Sequence, residues 1–141
     1  MQYCHSSHAV FQHRYHIVWA TKYRHKVLRG DLRLRIRDII KQTCGELGVS
    51  IIKGALSHDH VHMFVAIAPK LSVSDVVRRI KGRSSHRIQR EFAWVKQCYW
   101  GQRFWARGYF STTSGNITNE VILQYLEAHT KPTDMMWSNR L

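Results

Sequence analysis

From His58 to Ile67 the chain reads HDHVHMFVAI, with histidine at every second position before an apolar run begins. A period of two belongs to a β-strand, in which residues i and i+2 share a face. A strand over residues 61–67 turns His60 and His62 to one surface, and sends Val61, Met63 and Val65 towards a core. Two neighbouring imidazoles can hold a metal ion, or can be hydrogen-bonded surface groups. This stretch alone leaves both open.

The flanking sequence says what such a strand can belong to. Residues 13–20 (HRYHIVWA) are aromatic and β-branched and predict a first strand, followed by the basic loop TKYRHKVLRG. The run from Asp31 places Leu32, Ile36, Ile39, Ile40 and Leu47 at helical spacing, with Asp31 as N-cap and Gly48 as the stop. Residues 49–56 predict a second strand, and a turn at Ser57–Asp59 leads into the histidine strand, which Pro69 ends. Ser72, with Asp75 three residues on, starts a second helix that sends Val73, Val76, Val77, Ile80 and Ile88 inward. A looser aromatic segment (Trp94, Tyr99, Trp100, Phe104, Trp105) leads to a fourth strand near residues 108–112. A turn at SGN and a cap at Thr118 then introduce a last helix, NEVILQYLEAHT. The order β-α-β-β-α-β is the split βαβ, ferredoxin-like arrangement of an α+β protein, an antiparallel sheet with helices on one face, here with an additional C-terminal helix. Its third strand is central, so His60 and His62 are expected in mid-sheet on an open face. No repeat or Pro/Gly-rich linker interrupts the chain, so residues 1–141 are expected to form one domain, with a core over about 13–130 and short tails.

Charge narrows the partner. Twenty-two Lys and Arg against nine Asp and Glu give a net +13, which favours a polyanion, nucleic acid above all. Lys22, Tyr23 and Arg24 in the basic loop are candidate DNA contacts, as are Arg78, Arg79, Lys81, Arg83 and Arg87 on the second helix. A hydrophobic fraction of 44% argues against disorder. No run approaches the roughly 20 apolar residues of a membrane span, and residues 1–12 lack a signal-peptide core, so a cytoplasmic protein without a membrane partner is expected. Three cysteines (Cys4, Cys44, Cys98) without C-x-x-C spacing do not make a disulfide framework. Cys4, His5 and His8 match no closed tetrahedral zinc pattern.

In the last helix Tyr125 and His129 lie four residues apart on one face, flanked by Val121, Ile122 and Leu126. Spacing alone favours a tyrosine that packs in an amphipathic stripe. Taken together, however, the motifs resemble a known family. His60-Val61-His62 resembles the HUH motif (histidine, bulky hydrophobic, histidine) of single-strand DNA endonucleases. The chain from about His13 to His129 is similar to the small single-tyrosine transposases, TnpA type, of the insertion sequence 200/605 family. The resemblance rests on HRYHIVWATKYRH, SHDHVHMFVAI, SVSDVVRRIKGRSSHRI, FWARGYFSTTSGN and EVILQYLEAH.

That resemblance implies a divalent cation, Mg or Mn, bound by His60 and His62, and Tyr125 as the nucleophile that leaves a 5′-phosphotyrosine and a free 3′-OH. It implies a homodimer acting on single-stranded DNA marked by hairpins, with active sites possible in composite form between subunits. Relatives commonly carry glutamine as third ligand four residues after the tyrosine. Here that position is His129, and three nitrogen donors shift preference from Mg²⁺ towards Mn²⁺. Two other readings compete: a hairpin-processing or relaxase-like nicking enzyme with the same chemistry, and a non-catalytic nucleic-acid-binding module. The second is disfavoured because His60 and His62 are poorer stacking platforms than the Phe or Tyr of a base-reading sheet.

Overall fold

A computed structural model describes residues 4–6, 9–11, 13–99, 103–113 and 119–128. In chain order the elements are β1 (Cys4–Ser6), β2 (Ala9–Phe11), β3 (Arg14–Ala20), a short 3₁₀ turn (Lys22–Arg24), α1 (Gly30–Leu47), β4 (Ser50–Leu56) and β5 (His60–Ala66). There follow α2 (Val73–Glu91), α3 (Ala93–Tyr99), β6 (Phe110–Thr112) and α4 (Asn119–Ala128). Four strands form an antiparallel sheet in the order β4-β5-β3-β6, the ferredoxin-like order expected from the sequence. Strand β5 is central, between β4 and β3.

The period-two pattern of the two central strands separates the faces of the sheet. On one face Ile17 and Trp19 of β3 join Val61, Met63 and Val65 of β5 in the main core. Leu32, Ile36, Ile39 and Ile40 of α1 and Val76, Val77, Ile80 and Ile88 of α2 close over them. Each such side chain, removed fully from water, contributes about 1.5–3 kcal/mol before chain entropy is counted. On the other face Val18 and Ala20 form a second cluster with Ala106, Ile122 and Leu126, against which Phe110 and Tyr125 pack. Helix α4 therefore lies on the face opposite α1 and α2. The face expected to be open is partly covered by it.

Helix ends follow local chemistry with one exception. Ser72 caps α2 by accepting the Asp75 backbone N–H at 3.1 Å. Gly48 ends α1 in the left-handed region (φ 74°), where a Cβ would be strained. The expected cap at Asp31 is corrected: the N-cap is Arg29, and Asp31 sits inside the first turn, where its charge faces the positive end of the helix dipole. Two elements were not expected. Residues 93–99 of the aromatic segment form the short helix α3, and β1 and β2 form a separate two-stranded sheet. The SGN turn, Trp100 and the Thr118 cap lie outside the described residues.

Candidate active site

In register, His62 of β5 stands opposite Val18 of β3 and Ala55 of β4, and His60 stands opposite Ala20. Their neighbours are thus small or modest side chains, and cross-strand partners of this kind stand about 4.5–5.5 Å apart at Cβ. Val18 and Ala20 are also the residues on which Ile122 and Leu126 of α4 rest. The packing that buries α4 brings Tyr125 to the histidine face of the sheet. Tyr125 is half-buried and its hydroxyl is excluded from solvent, and burial pushes the phenol up to about 12.

The two histidines differ in their surroundings. His60 Nδ1 lies 2.8 Å from Asp59 Oδ1, and the other carboxylate oxygen accepts from Arg24 Nε at 3.2 Å. Burial pushes the Asp59 carboxyl up, but the hydrogen bond with His60 and the Arg24 charge outweigh it and hold it below its usual range. His62 Nε2 lies 3.2 Å from His16 Nδ1, one of the pair carrying the shared proton. His16 is itself stacked on Phe64, with ring centroids 4.3 Å apart. Burial lowers the His62 pKa first, and the nearby His16, His60 and Lys53 lower it further. A neutral imidazole is the ligating form, so this environment suits metal binding.

Among the described residues no group of three His, Cys, Asp or Glu is gathered closely enough to hold an ion. The donor set on the sheet is therefore the pair His60 and His62, and His129 lies outside the described residues. The chemistry of the pair still fits a divalent cation: one ring has its Nδ1 occupied by a carboxylate, and the other is shifted towards its neutral form.

The remaining candidates fall into four settings. Lys22, Tyr23 and Arg24 form a turn in which Tyr23 and Arg24 both have positive φ (56° and 55°), at a cost of about 1–3 kcal/mol each. Lys22 Nζ sits 5.3 Å from the Tyr23 ring centroid, while Arg24 is turned inward to Asp59. Arg83 bonds Glu46 at 2.9 Å and Arg87 bonds Gln42 at 3.3 Å, so both reach across to α1. Arg78 and Arg79 are exposed on α2. Lys81 and Arg78 line a groove of about 580 Å³ between α2 and residues 103–109, together with Arg103 and Arg107. Lys81 Nζ donates to the Ala106 and Gly108 carbonyls at 2.7 and 2.8 Å, and burial with the Arg103 charge pushes it down to about 8. Asp59 and His16 were missed as site residues. The signal for Asp59 was its place directly before His60. His16 carried none beyond its place in a strand.

The fold is an antiparallel α+β sheet with a histidine pair on its central strand and a tyrosine-bearing helix against the same face. The chain belongs to the family described as "Transposase IS200 like", which it matches over residues 9–129, and it is a transposase of that family. It is 31% identical over 119 residues to the ISDra2 transposase TnpA of Deinococcus radiodurans, covering 84% of this chain and 85% of that one. It is 35% identical over 115 residues to the transposase for insertion sequence element IS200 of Salmonella typhimurium, covering 82% and 76%. A crystal structure described as a Deinococcus radiodurans transposase superposes with a TM-score of 0.82 at 30% identity, over 90% of this chain and 98% of that one. A REP-associated tyrosine transposase bound to a REP hairpin superposes with a TM-score of 0.56 at 12% identity, over 89% and 70%, a likeness of fold.

Proposed function

We propose that this transposase cleaves and rejoins single-stranded DNA at hairpin-marked ends, with Tyr125 as nucleophile and a divalent cation held by His60 and His62. The observation that carries the proposal is the shared face: the apolar contacts that dock α4 rest on Val18 and Ala20, the cross-strand neighbours of His62 and His60. In the cleavage step the Tyr125 oxygen forms a bond to phosphorus, the bond from phosphorus to the 3′ oxygen breaks, and that oxygen leaves as a 3′-OH. The 5′-phosphotyrosine retains the phosphodiester energy, so a second 3′-OH can reverse the step and join ends without ATP.

A phenol pushed up to about 12 is a poor nucleophile at neutral pH and needs help to lose its proton. Mg²⁺ or Mn²⁺ at the imidazoles would supply positive charge to offset that developing on the phosphate oxygens. His129, four residues after Tyr125 in the sequence, is proposed as a third ligand, favouring Mn²⁺. Exposed Arg78 and Arg79, the groove containing Lys81, and the Lys22–Tyr23 turn are proposed to meet the DNA backbone and its unpaired bases. A homodimer is proposed, because a tyrosine helix docked through so small a cluster is suited to serving either its own sheet or that of a partner subunit.

The test is direct. Incubation with a labelled single-stranded hairpin and Mn²⁺ should yield a covalent protein–DNA adduct that resists denaturation. No adduct with any hairpin carrying the element's own ends would remove the proposed chemistry.

A further inference from the structure

We infer that Arg24 and Asp59 form a positioning relay for His60, fixing the ring with its proton on Nδ1 and its Nε2 lone pair presented for the cation. The inference rests on the metal-binding reading above and names residues that act through a ligand. Asp59 is the one buried acidic residue among those described, in a chain with nine acidic residues against twenty-two basic ones. Its two carboxylate oxygens have separate partners: Oδ1 faces His60 Nδ1 at 2.8 Å, and Oδ2 accepts from Arg24 Nε at 3.2 Å. An ionised carboxylate can only accept, so the proton between Asp59 and His60 belongs to the imidazole and Nε2 is left as the ligating nitrogen. Arg24 keeps the carboxylate charged and holds it against the ring, so that Asp59 does not itself turn to the cation.

The surrounding backbone is built to hold this arrangement. Thr21 donates its backbone N–H to the Asp59 carbonyl at 2.9 Å and its hydroxyl to the His25 carbonyl at 2.7 Å, so it ties the two ends of the basic turn to the residue before His60. The Leu28 N–H bonds the His58 carbonyl at 2.9 Å, tying the basic loop to the turn before β5 at a second point. Between these ties Tyr23 and Arg24 adopt the left-handed conformation, which non-glycine residues rarely accept. Arg24 of this strained turn reaches Asp59. A loop whose purpose was only to offer cations to DNA would need neither the inward arginine nor the strain. Carboxylate partners of ligating histidines fix the tautomer and raise ligand basicity, and their loss costs about 10–100-fold in metal affinity.

The experiment measures Mn²⁺ affinity of the full chain by calorimetry, without DNA, for wild type and for Asp59→Asn, Arg24→Gln, Arg24→Lys and His60→Ala. Imidazole ¹⁵N spectra of the metal-free wild type report the tautomer. The expected results are a His60 ring protonated at Nδ1 and a loss of about 10–100-fold in Asp59→Asn, whose amide can turn its NH₂ to Nδ1 and lock the opposite tautomer. Arg24→Gln should lose affinity in the same sense, and Arg24→Lys should recover part of it, which a merely structural role would not predict. A His60 ring protonated at Nε2 in the wild type would overturn the relay, even if the variants do not fold. So would unchanged Mn²⁺ affinity in Asp59→Asn where His60→Ala has lost it. Unchanged affinity in His60→Ala itself would instead remove the metal reading on which the relay rests.

Discussion

Leu126→Ala should disable the tyrosine while leaving the main body of the protein folded. Helix α4 meets the sheet through Val18, Ala20, Ala106, Ile122 and Leu126, a cluster separate from the main core. Leu126 is 1% exposed and Ile122 9%. These two side chains anchor the ten-residue helix on the sheet. Local docking of this kind retains on the order of 2 kcal/mol, and the leucine truncation removes about 2–5 kcal/mol. The docked fraction then falls from nearly all molecules to between about one half and about 1 in 150. Single-turnover adduct formation with a labelled hairpin and Mn²⁺ should slow by about two- to 150-fold, in proportion to that population. The principal thermal transition, followed by near-ultraviolet circular dichroism, should stay close to that of wild type, because Ile80 and its neighbours are untouched. Ile80→Ala is the control and should lower that transition. The reasoning is refuted if Leu126→Ala melts like Ile80→Ala, or if it forms adduct at the wild-type rate.

Further outcomes follow from the same geometry. Tyr125→Phe should retain hairpin affinity and lose the covalent adduct, and a normal adduct on denaturing gels would exclude Tyr125 as nucleophile. Burial holds the Tyr125 phenol protonated well above neutral pH, so the adduct-forming rate should rise with pH between about 6 and 9; a flat profile in single-turnover measurements would contradict this. Binding should favour hairpin or single-stranded DNA over blunt duplex and weaken steeply with salt, as competition titrations at several salt concentrations would show. His129→Gln should preserve cleavage and move its preference from Mn²⁺ towards Mg²⁺, whereas normal cleavage by His129→Ala with both metals would leave the site with two protein ligands.

The parts of the fold legible in the sequence were those with a period. Val61, Met63 and Val65 alternate with His60, Phe64 and His62, and the core face of β5 follows that alternation. Leu32, Ile36, Ile39 and Ile40 recur at helical spacing and all are buried in α1. Helix α3 was harder to see, because seven residues give fewer than two full repeats of a helical pattern and its aromatic residues suit a strand as well. The start of α1 shows local preference giving way to the chain's path: aspartate caps better than arginine, yet with Gly30 at positive φ the helix starts two residues earlier than an Asp31 cap allows. Asp59 was hidden for a different reason. A turn residue carries no periodic signal, and its arginine partner lies 35 positions away, so only the folded chain brings them together.

The same contrast explains how far net charge can be carried as an argument about DNA. A surplus of cations is a property of the whole molecule, but whether a given arginine meets a phosphate depends on what stands beside it. Arg83 and Arg87 sit on the polar side of α2, yet they reach Glu46 and Gln42 of α1 and join the two helices across the back of the sheet. Arg24 belongs to the most basic loop of the chain and is turned to the buried Asp59. Of the named contacts, Arg78 and Arg79 are exposed, although Arg78 also bonds Asp75 at 2.8 Å, and the groove beside α2 adds the exposed Arg103 and Arg107 to Lys81, whose Nζ is held by the Ala106 and Gly108 carbonyls. That groove adjoins α2, on the side of the sheet opposite α4, whereas the tyrosine and the histidine pair share the other face. DNA held at both must pass an edge of the sheet. Unpaired strand, which bends freely where duplex does not, is the form of DNA suited to that path.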